Sequence, residues 1–439
     1  MEVLVREYDS RLLIALMAIE RGMEVIIGQK WLMERNIKFM PPGLWIFKTM
    51  TLRDAGVMQK ARAAGHAITS IDEEVPGMAE GSADLLWVSE QAVSNCDKIF
   101  CVGSEHAKSL TLKWPSHAHR LSVTGNPRWD YLRPELSGIY AEQATRLNAE
   151  YGKIILVNTN IGETNSAKYR NEKDATKRYI ARGKLDLSVK TSKEMWDDYL
   201  DFERFNFNAV VTLVPALASR FPGHTIIVRP HPAEDIETYR KLYSGNDRIK
   251  VLFEGPAAAW ITASDVLIHT GCTTGTEAFA LGKPAISYEP KPSRWHTIML
   301  AGQLNIKASE EGVLLDIVEQ LLGDGELWNN FMEAKKNVFS RFFHSGANSL
   351  AAENIVQQCL DIIAEKGLST KTTYSSWRAR FGYLPWWFIS RNNQRLFPTQ
   401  KAGAVETKIR SIARFLNKAV EPNVTRIGDR MFKVSRSRK

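Results

Sequence analysis

Cysteine is scarce in this 439-residue chain: four residues, Cys96, Cys101, Cys272 and Cys359, are scattered with no CxxC spacing and no histidine at ligand spacing. That excludes a disulfide framework and a zinc site, and suits a reducing cytosol. Long apolar runs are also missing. No stretch approaches the roughly 18 residues that a spanning helix needs, and the amino terminus carries Glu7 and Asp9 where a secretory leader would be basic and then apolar. No repeat of 20 to 50 residues, no low-complexity tract and no RNP, KH, zinc or helix-turn-helix pattern occurs. The chain therefore reads as neither secreted, membrane-spanning nor nucleic-acid-binding. With 44% hydrophobic and 24% charged residues it has enough apolar mass for two ordinary cores.

The net charge of +9 is unevenly placed. From Lys366 to the end, 17 Lys or Arg stand against three acids, a net of +14, so residues 1 to 365 are mildly acidic at −5. A basic segment therefore follows an acidic body.

Along the body, short apolar runs alternate with helical periodicity. Strands are expected at 3–6, 25–27, 44–47, 67–71, 98–102 and 121–123, with helices over 12–17, 54–64, from Ser104 and around 142–151. The pattern restarts at 154–157 and continues with strands at 225–228, 250–253, 266–268 and 285–288. Helices are expected near 205–220, 234–243, 275–281, 315–321 and 348–363. Alternation of this kind predicts α/β architecture with parallel sheets: two tandem Rossmann-like domains with a cleft between them, plus a basic helical tail. The boundaries predicted are 1–150, 151–365 and 366–439. Residues 162–204 break the rhythm with a polar, charge-dense insertion that reads as an excursion at the cleft, a mobile lid.

Two segments carry the chemistry. In the first, a strand ends in Arg229-Pro230-His231-Pro232, so two prolines stiffen the platform of a cation and an imidazole. Arg229 suits bidentate binding of phosphate oxygens, and His231 suits donation to, or protonation of, a leaving phosphate. The second runs from His269 to Tyr288 (HTGCTTGTEAFALGKPAISY). Thr270, Gly271, Thr273 and Thr274 lie in a turn that opens a helix bearing Glu277, which predicts an anion site of backbone N–H groups and hydroxyls. Glu277 would then reach sugar hydroxyls beside the phosphate. The bland readings are a pairing role for Arg229, a strand-end cap for His231 and a dipole-complementing Glu277.

Together these segments resemble the second domain of GT-B glycosyltransferases. The similarity is greatest to bacterial surface-carbohydrate enzymes with a His-Pro motif, the β-Kdo transferases of capsule and lipopolysaccharide assembly. The glycerophosphotransferases of teichoic acid synthesis share a more distant pattern. The resemblance spans the body to about residue 365 and leaves the basic tail uncovered. It implies metal-independent transfer, without a cofactor, of a sugar from a nucleotide donor such as a CMP-linked ulosonic acid to a polysaccharide or lipid-linked glycan. It also implies that Arg229, His231, Thr273, Thr274 and Glu277 form the donor site.

The acceptor side is expected in the first domain, where the strand 67–71 ends in Asp72-Glu73-Glu74. Three adjacent carboxylates repel one another, which raises at least one pKa and suits a base for an acceptor hydroxyl. The alternative is a solvated acidic turn. Whether the reaction inverts or retains stays open. Asp9, Asn158, Asn160 and Asn126 (in Gly125-Asn126-Pro127, near Asp130) are lesser cleft candidates at strand ends, and a structural turn is the favoured reading for Asn126. In the tail, Trp377, Phe381, Trp386, Trp387 and Phe388 lie among arginines, and Val405, Ile409, Ile412 and Ala413 mark one face of a basic helix. Both features fit an anionic membrane surface, hence a cytoplasmic protein peripheral to the inner face of the membrane. A docked amphipathic helix is the rival reading. Two other functions stay open: a nucleotide-sugar 2-epimerase, and a non-catalytic membrane-associated scaffold of glycan assembly.

Overall fold

The computed structural model describes residues 1, 4–72, 88–181, 185–323, 325–343, 349–371 and 397–437. They form two compact units. One combines the described residues up to Ile139 with those from Phe339 onward, and the other is Tyr140–Val338. The first unit thus takes both ends of the chain, and the divisions at 150 and 365 do not coincide with this partition.

In the first unit the strand expected at 3–6 does not form. Helix begins at Leu4 and runs to Glu20. Leu12 to Ile19 are all buried, so this helix is enclosed on every side instead of presenting one apolar stripe. Short apolar runs do not separate strand from buried helix, and here the Leu, Ala and Met content decides for helix. The next run, β1 (Val25–Gly28), also departs from the expected parallel order. It pairs antiparallel with β13 (Met431–Arg436), Val25 opposite Val434, and β13 pairs with β12 (Pro422–Gly428). Residues 422–436 are therefore part of the first unit's architecture.

The parallel sheet of this unit has the order β2 (Leu44–Phe47), β3 (Ala67–Ile71), β4 (Lys98–Cys101), β5 (Leu121–Val123). Helix Leu52–Ala63 starts on a capping box in which Thr51 and Asp54 satisfy each other's backbone N–H groups. The tail helix Ala402–Phe415 buries Val405, Ile409, Ile412 and Ala413, and it packs on the first helix and β12. The apolar face that sequence offered to a membrane is committed to the core. The aromatic stretch 377–388 lies outside the described residues, and no described helix is long and apolar enough to cross a membrane.

The second unit is built on a six-stranded parallel sheet: β6 (Lys153–Asn158), β7 (His224–Arg229), β8 (Ile249–Val251), β9 (Val266–His269), β10 (Ala285–Tyr288) and β11 (Ile306–Ala308). Their spatial order is β11-β10-β9-β6-β7-β8, a doubly wound arrangement whose direction reverses between β6 and β9. The central strands are buried on both faces, which is why they read as unbroken Ile, Leu and Val runs.

The stretch 162–204 is largely helical, not a structureless excursion. Helix Glu172–Ala181 is followed by Lys190–Arg220, a helix of 31 residues that absorbs the one expected at 205–220 and tolerates Pro215. Its charged appearance in sequence conceals an aromatic row. Tyr179 packs on Trp196 (5.2 Å), Tyr199 on Trp295 (4.9 Å) and Phe202 on His296 (4.8 Å).

Candidate functional site at the reversal of the six-stranded sheet

At the carboxyl ends of the central strands, Asn158 of β6 stands opposite Arg229 of β7 on one side and His269 of β9 on the other. The register therefore gathers residues that lie 40 to 111 positions apart in sequence, at the place where open α/β sheets receive ligands.

Arg229 is buried, with its guanidinium 5.5 Å from the centre of the Trp260 ring, and Nη2 donates to the Gly255 carbonyl at 3.0 Å. Burial pulls its pKa down to about 10, while the charge of Glu277 acts in the opposite direction. At neutral pH the cation persists. Its Nε meets no acceptor among the described residues. Asn158 Oδ1, an acceptor, meets no donor, and the enclosed Thr270 Oγ1 has no hydrogen-bond partner among the described residues. Groups of this kind cost about 1–3 kcal/mol each when left unmet, which makes their clustering informative.

The turn after β7 is organised by a residue that motif reading passed over. Glu234 is enclosed, and its Oε1 accepts from Thr159 Oγ1 (2.7 Å), Ile161 N (3.1 Å) and His231 N (2.8 Å). Its Oε2 accepts from Tyr239 OH at 2.7 Å. Burial raises its pKa and the four hydrogen bonds oppose that rise. One carboxylate thus ties the loop after β6 to the His-Pro turn. The signal was present, since a glutamate three residues after His231 has capping-box spacing. His231 itself is half-buried, and its Nδ1 accepts from Ala233 N at 3.2 Å. In the neutral ring that bond puts the proton on Nε2, which makes Nε2–H a donor.

The turn after β9 corrects the sequence expectation. His269 is fully enclosed; its Nδ1 accepts from Gly271 N (3.2 Å) and Cys272 N (3.4 Å), and its Nε2 faces Asn305 Oδ1 at 2.7 Å. Burial holds this ring neutral, with a pKa near 4. Two N–H groups that sequence assigned to an anion are therefore already bound to the histidine. Gly271 occupies the left-handed region at φ +80°, and Asn160 Nδ2 donates to its carbonyl at 3.2 Å. Thr273 and Thr274 are partly accessible at the start of helix Thr274–Ala280, while Glu277 is enclosed beside Arg229's field. Gly275 permits this packing, because a Cβ there would lie 2.2 Å from Asn305 Oδ1 and 2.3 Å from His269 Nε2.

Above this turn lie two further residues that sequence reading missed. His296 is buried with neither ring nitrogen partnered among the described residues, and burial holds its pKa near 4. Glu203 accepts from Glu163 N and Thr164 N at 2.7 Å each and from Tyr199 OH at 2.8 Å. Burial nevertheless raises its pKa to about 7. No single-residue pattern marks either position, since both depend on helix 190–220 folding over the strand ends.

The remaining candidates fall in the first unit. Asp72 follows β3 and is fully enclosed; after burial itself, its charge helps push the Cys101 thiol up to about 12. Glu73 and Glu74 lie outside the described residues. Asp9 sits on the first helix, not at a strand end, and pairs with Lys408 at 3.4 Å. Asn126 caps the turn at Pro127–Asp130, and Asp130 accepts from Ala351 N and Ala352 N at 2.8 and 2.9 Å, so both hold the fold. No group of His, Cys, Asp and Glu able to hold a metal occurs among the described residues.

No family model matches the sequence, and no curated protein matches it either. Solved structures with a similar course of chain include a variant of the wall teichoic acid polymerase TagF soaked with CDPG, at 12% identity over 74% of this chain and 73% of that one (TM-score 0.48). Another is MnaA of S. aureus with UDP, at 14% identity over 77% and 78% (TM-score 0.45). A third is the UDP-GlcNAc 2-epimerase of Methanocaldococcus jannaschii, at 13% identity over 73% and 77% (TM-score 0.45).

Proposed function

We propose that the second unit holds a nucleotide-activated donor at the carboxyl ends of β6, β7 and β9, and that the protein is a GT-B-type glycosyltransferase of surface-glycan synthesis. The observation that carries this reading is the convergence at the sheet reversal. Arg229, with its acceptor-less Nε, and Asn158, whose Oδ1 has no donor, stand opposite each other at the strand ends, and the enclosed Thr270 Oγ1 follows His269 of the neighbouring strand. An ester or diester phosphate bearing hydroxylated groups supplies an acceptor to Arg229 Nε, and its hydroxyls supply donors to Asn158 Oδ1 and Thr270 Oγ1.

In such a transfer the bond from the donor's anomeric carbon to phosphate oxygen breaks and its electron pair stays on the phosphate. Arg229 and His231 Nε2–H stabilise that oxygen, and the acceptor hydroxyl forms the new C–O bond while losing its proton to a base. A CMP-linked ulosonic acid such as Kdo is the donor favoured by the sequence resemblance, and a glycan or lipid-linked glycan is the acceptor. The basic residues between 366 and 396 keep attachment to an anionic bilayer within the same reading.

Thermal melting with CMP, UDP, GDP and CDP tests the assignment. The fitting nucleotide at a hundred times its Kd stabilises by about 2.7 kcal/mol. His231→Ala and Glu277→Ala are expected to fold and to lose that shift; variants that respond like the parent would place the donor elsewhere. A donor that changes stereochemistry when incubated without acceptor would favour an epimerase.

A further inference from the structure

Two edge strands of the first unit, β1 and β2, line one cavity of about 260 Å³. Among the described residues β1 pairs only with β13 and β2 only with β3. In β1 the bond from Gln29 N to the Arg430 carbonyl (3.2 Å) turns the odd-numbered residues toward β13, so Glu24, Ile26 and Gly28 direct their main-chain groups the other way. That second edge is taken at both ends. Glu24 N donates to the Thr370 carbonyl at 2.8 Å, and the amino group of Met1 donates to the Gly28 carbonyl at 2.9 Å. β2 has no such cover. Ala67 N donates to the Gly43 carbonyl at 3.0 Å, which turns Gly43, Trp45 and Phe47 toward β3 and leaves Leu44 and Ile46 facing away from it. The N–H and C=O groups of Leu44 and Ile46 meet no partner among the described residues. An uncovered strand edge of this kind is a template for another strand.

The walls narrow the choice of occupant. Met23, Met33 and Met40 line the cavity, and unbranched thioether side chains adapt to apolar groups of varied shape. Glu24, Glu34, Lys30 and Lys48 line it as well, and each is held in an ion pair, at 2.9, 2.7, 2.7 and 3.0 Å. An ionic occupant would have to compete for one of these pairs, whereas an uncharged one leaves them intact. Donors and acceptors that alternate at the repeat of a strand are the property of an extended polypeptide, which pairs through its main chain and seats alternate side chains in the wall.

We infer that this cavity is a docking slot for an uncharged, extended segment of a partner polypeptide, which adds to β2 as a strand through the main chain of Leu44 and Ile46. β1 and the methionines form the remaining wall and receive the segment's apolar side chains. The slot is independent of the donor site, and it stands whether or not that site binds a nucleotide.

Calorimetric titration of the full chain with a capped heptapeptide of alternating threonine and valine tests it. Saturable one-to-one binding is expected. The same peptide N-methylated throughout keeps its side chains but loses its main-chain donors, and it should bind at least tenfold more weakly. Hydrogen exchange read by mass spectrometry needs no variant. The peptide should slow exchange at residues 44–47 and leave β5 and β12, other edge strands of this unit, unchanged. Leu44→Pro and Ile46→Pro each delete an N–H that faces the slot and break no bond to β3, so both are expected to fold and to lower the affinity at least tenfold. If either fails to fold, the exchange measurement decides. No saturable binding, equal binding of the N-methylated peptide, or protection at β5 or β12 in place of 44–47 would overturn the slot, as would folded proline variants that bind like the parent. Dodecanol that displaces the peptide with equal affinity would assign the cavity to an apolar chain and overturn the polypeptide partner.

Discussion

At the scale of single residues, the glutamate three positions beyond the His-Pro histidine governs more of the site than the motif itself. Glu234 uses two oxygens for four donors, two of them backbone N–H groups from separate loops. Glu234→Gln preserves size but replaces one acceptor oxygen with an NH2 that faces donors. The expected cost is about 2–3 kcal/mol, read as a lower Tm, together with loss of the nucleotide shift; a variant as stable as the parent would show that the two loops are held by other contacts. Arg229 and His231 were legible in the sequence because prolines frame them and the strand before them is apolar. Glu234 was legible only as a helix-start acid. Its full role depends on Thr159 and Ile161, which lie more than seventy positions earlier, and no local pattern records that distance.

At the scale of elements, helix Thr274–Ala280 is positioned by contact with a buried histidine and asparagine, not by its own caps. Gly275→Ala places a methyl group about where Asn305 Oδ1 and His269 Nε2 now meet, since the added Cβ would be 2.2 and 2.3 Å from them. The helix must shift or the His269–Asn305 bond must break. We expect a marked fall in Tm and loss of nucleotide response, although alanine has the higher helix propensity. An increase in Tm would mean that propensity outweighs packing here. Strands β1 to β10 were readable from their apolar runs, and their helices from periodicity. The element misjudged most was the opening segment. Its apolar run at Leu4 and Val5 suits either state, and burial of the following helix on all sides, against the 351–365 and 402–415 helices and β13, decides for helix.

At the scale of the whole molecule, two sets of buried groups oppose each other in acid. His106, His269 and His296 each have a pKa held near 4 by burial, below the ordinary 6.5. The unfolded chain therefore binds more protons between pH 4 and 6.5, and stability rises with pH across that window. Burial raises Glu203 to about 7 from 4.5 and Asp130 to about 6 from 3.8, so their contribution is fully present only at low pH and is lost as pH rises through those values. Burial also lowers His66 and His224 and raises Glu34 and Glu234, so five shifts of the first sign stand against four of the second. Tm should climb from pH 4 to about 6.5 and then level off by pH 7; a Tm that falls steadily over pH 4 to 6.5 would mean that the two acids dominate. The C-terminal segment gives a second expectation at this scale. Truncation after residue 396 removes β13 from β1 and the 402–415 helix from the first helix. It should yield insoluble or protease-sensitive protein, whereas a soluble truncation with the parent's melting profile would show the segment to be dispensable. From charge alone this segment read as an appendage to a finished body. What the sequence by itself determined was the class of architecture and the two motif-bearing turns, because apolar periodicity and proline-framed strand ends are local and act through nearest neighbours. The tertiary structure alone decided that residues 25–28 and 422–436 share one sheet and that Glu234 and His269 consume groups at the site. Each of these depends on contacts between residues far apart in sequence, and composition and periodicity do not encode distance.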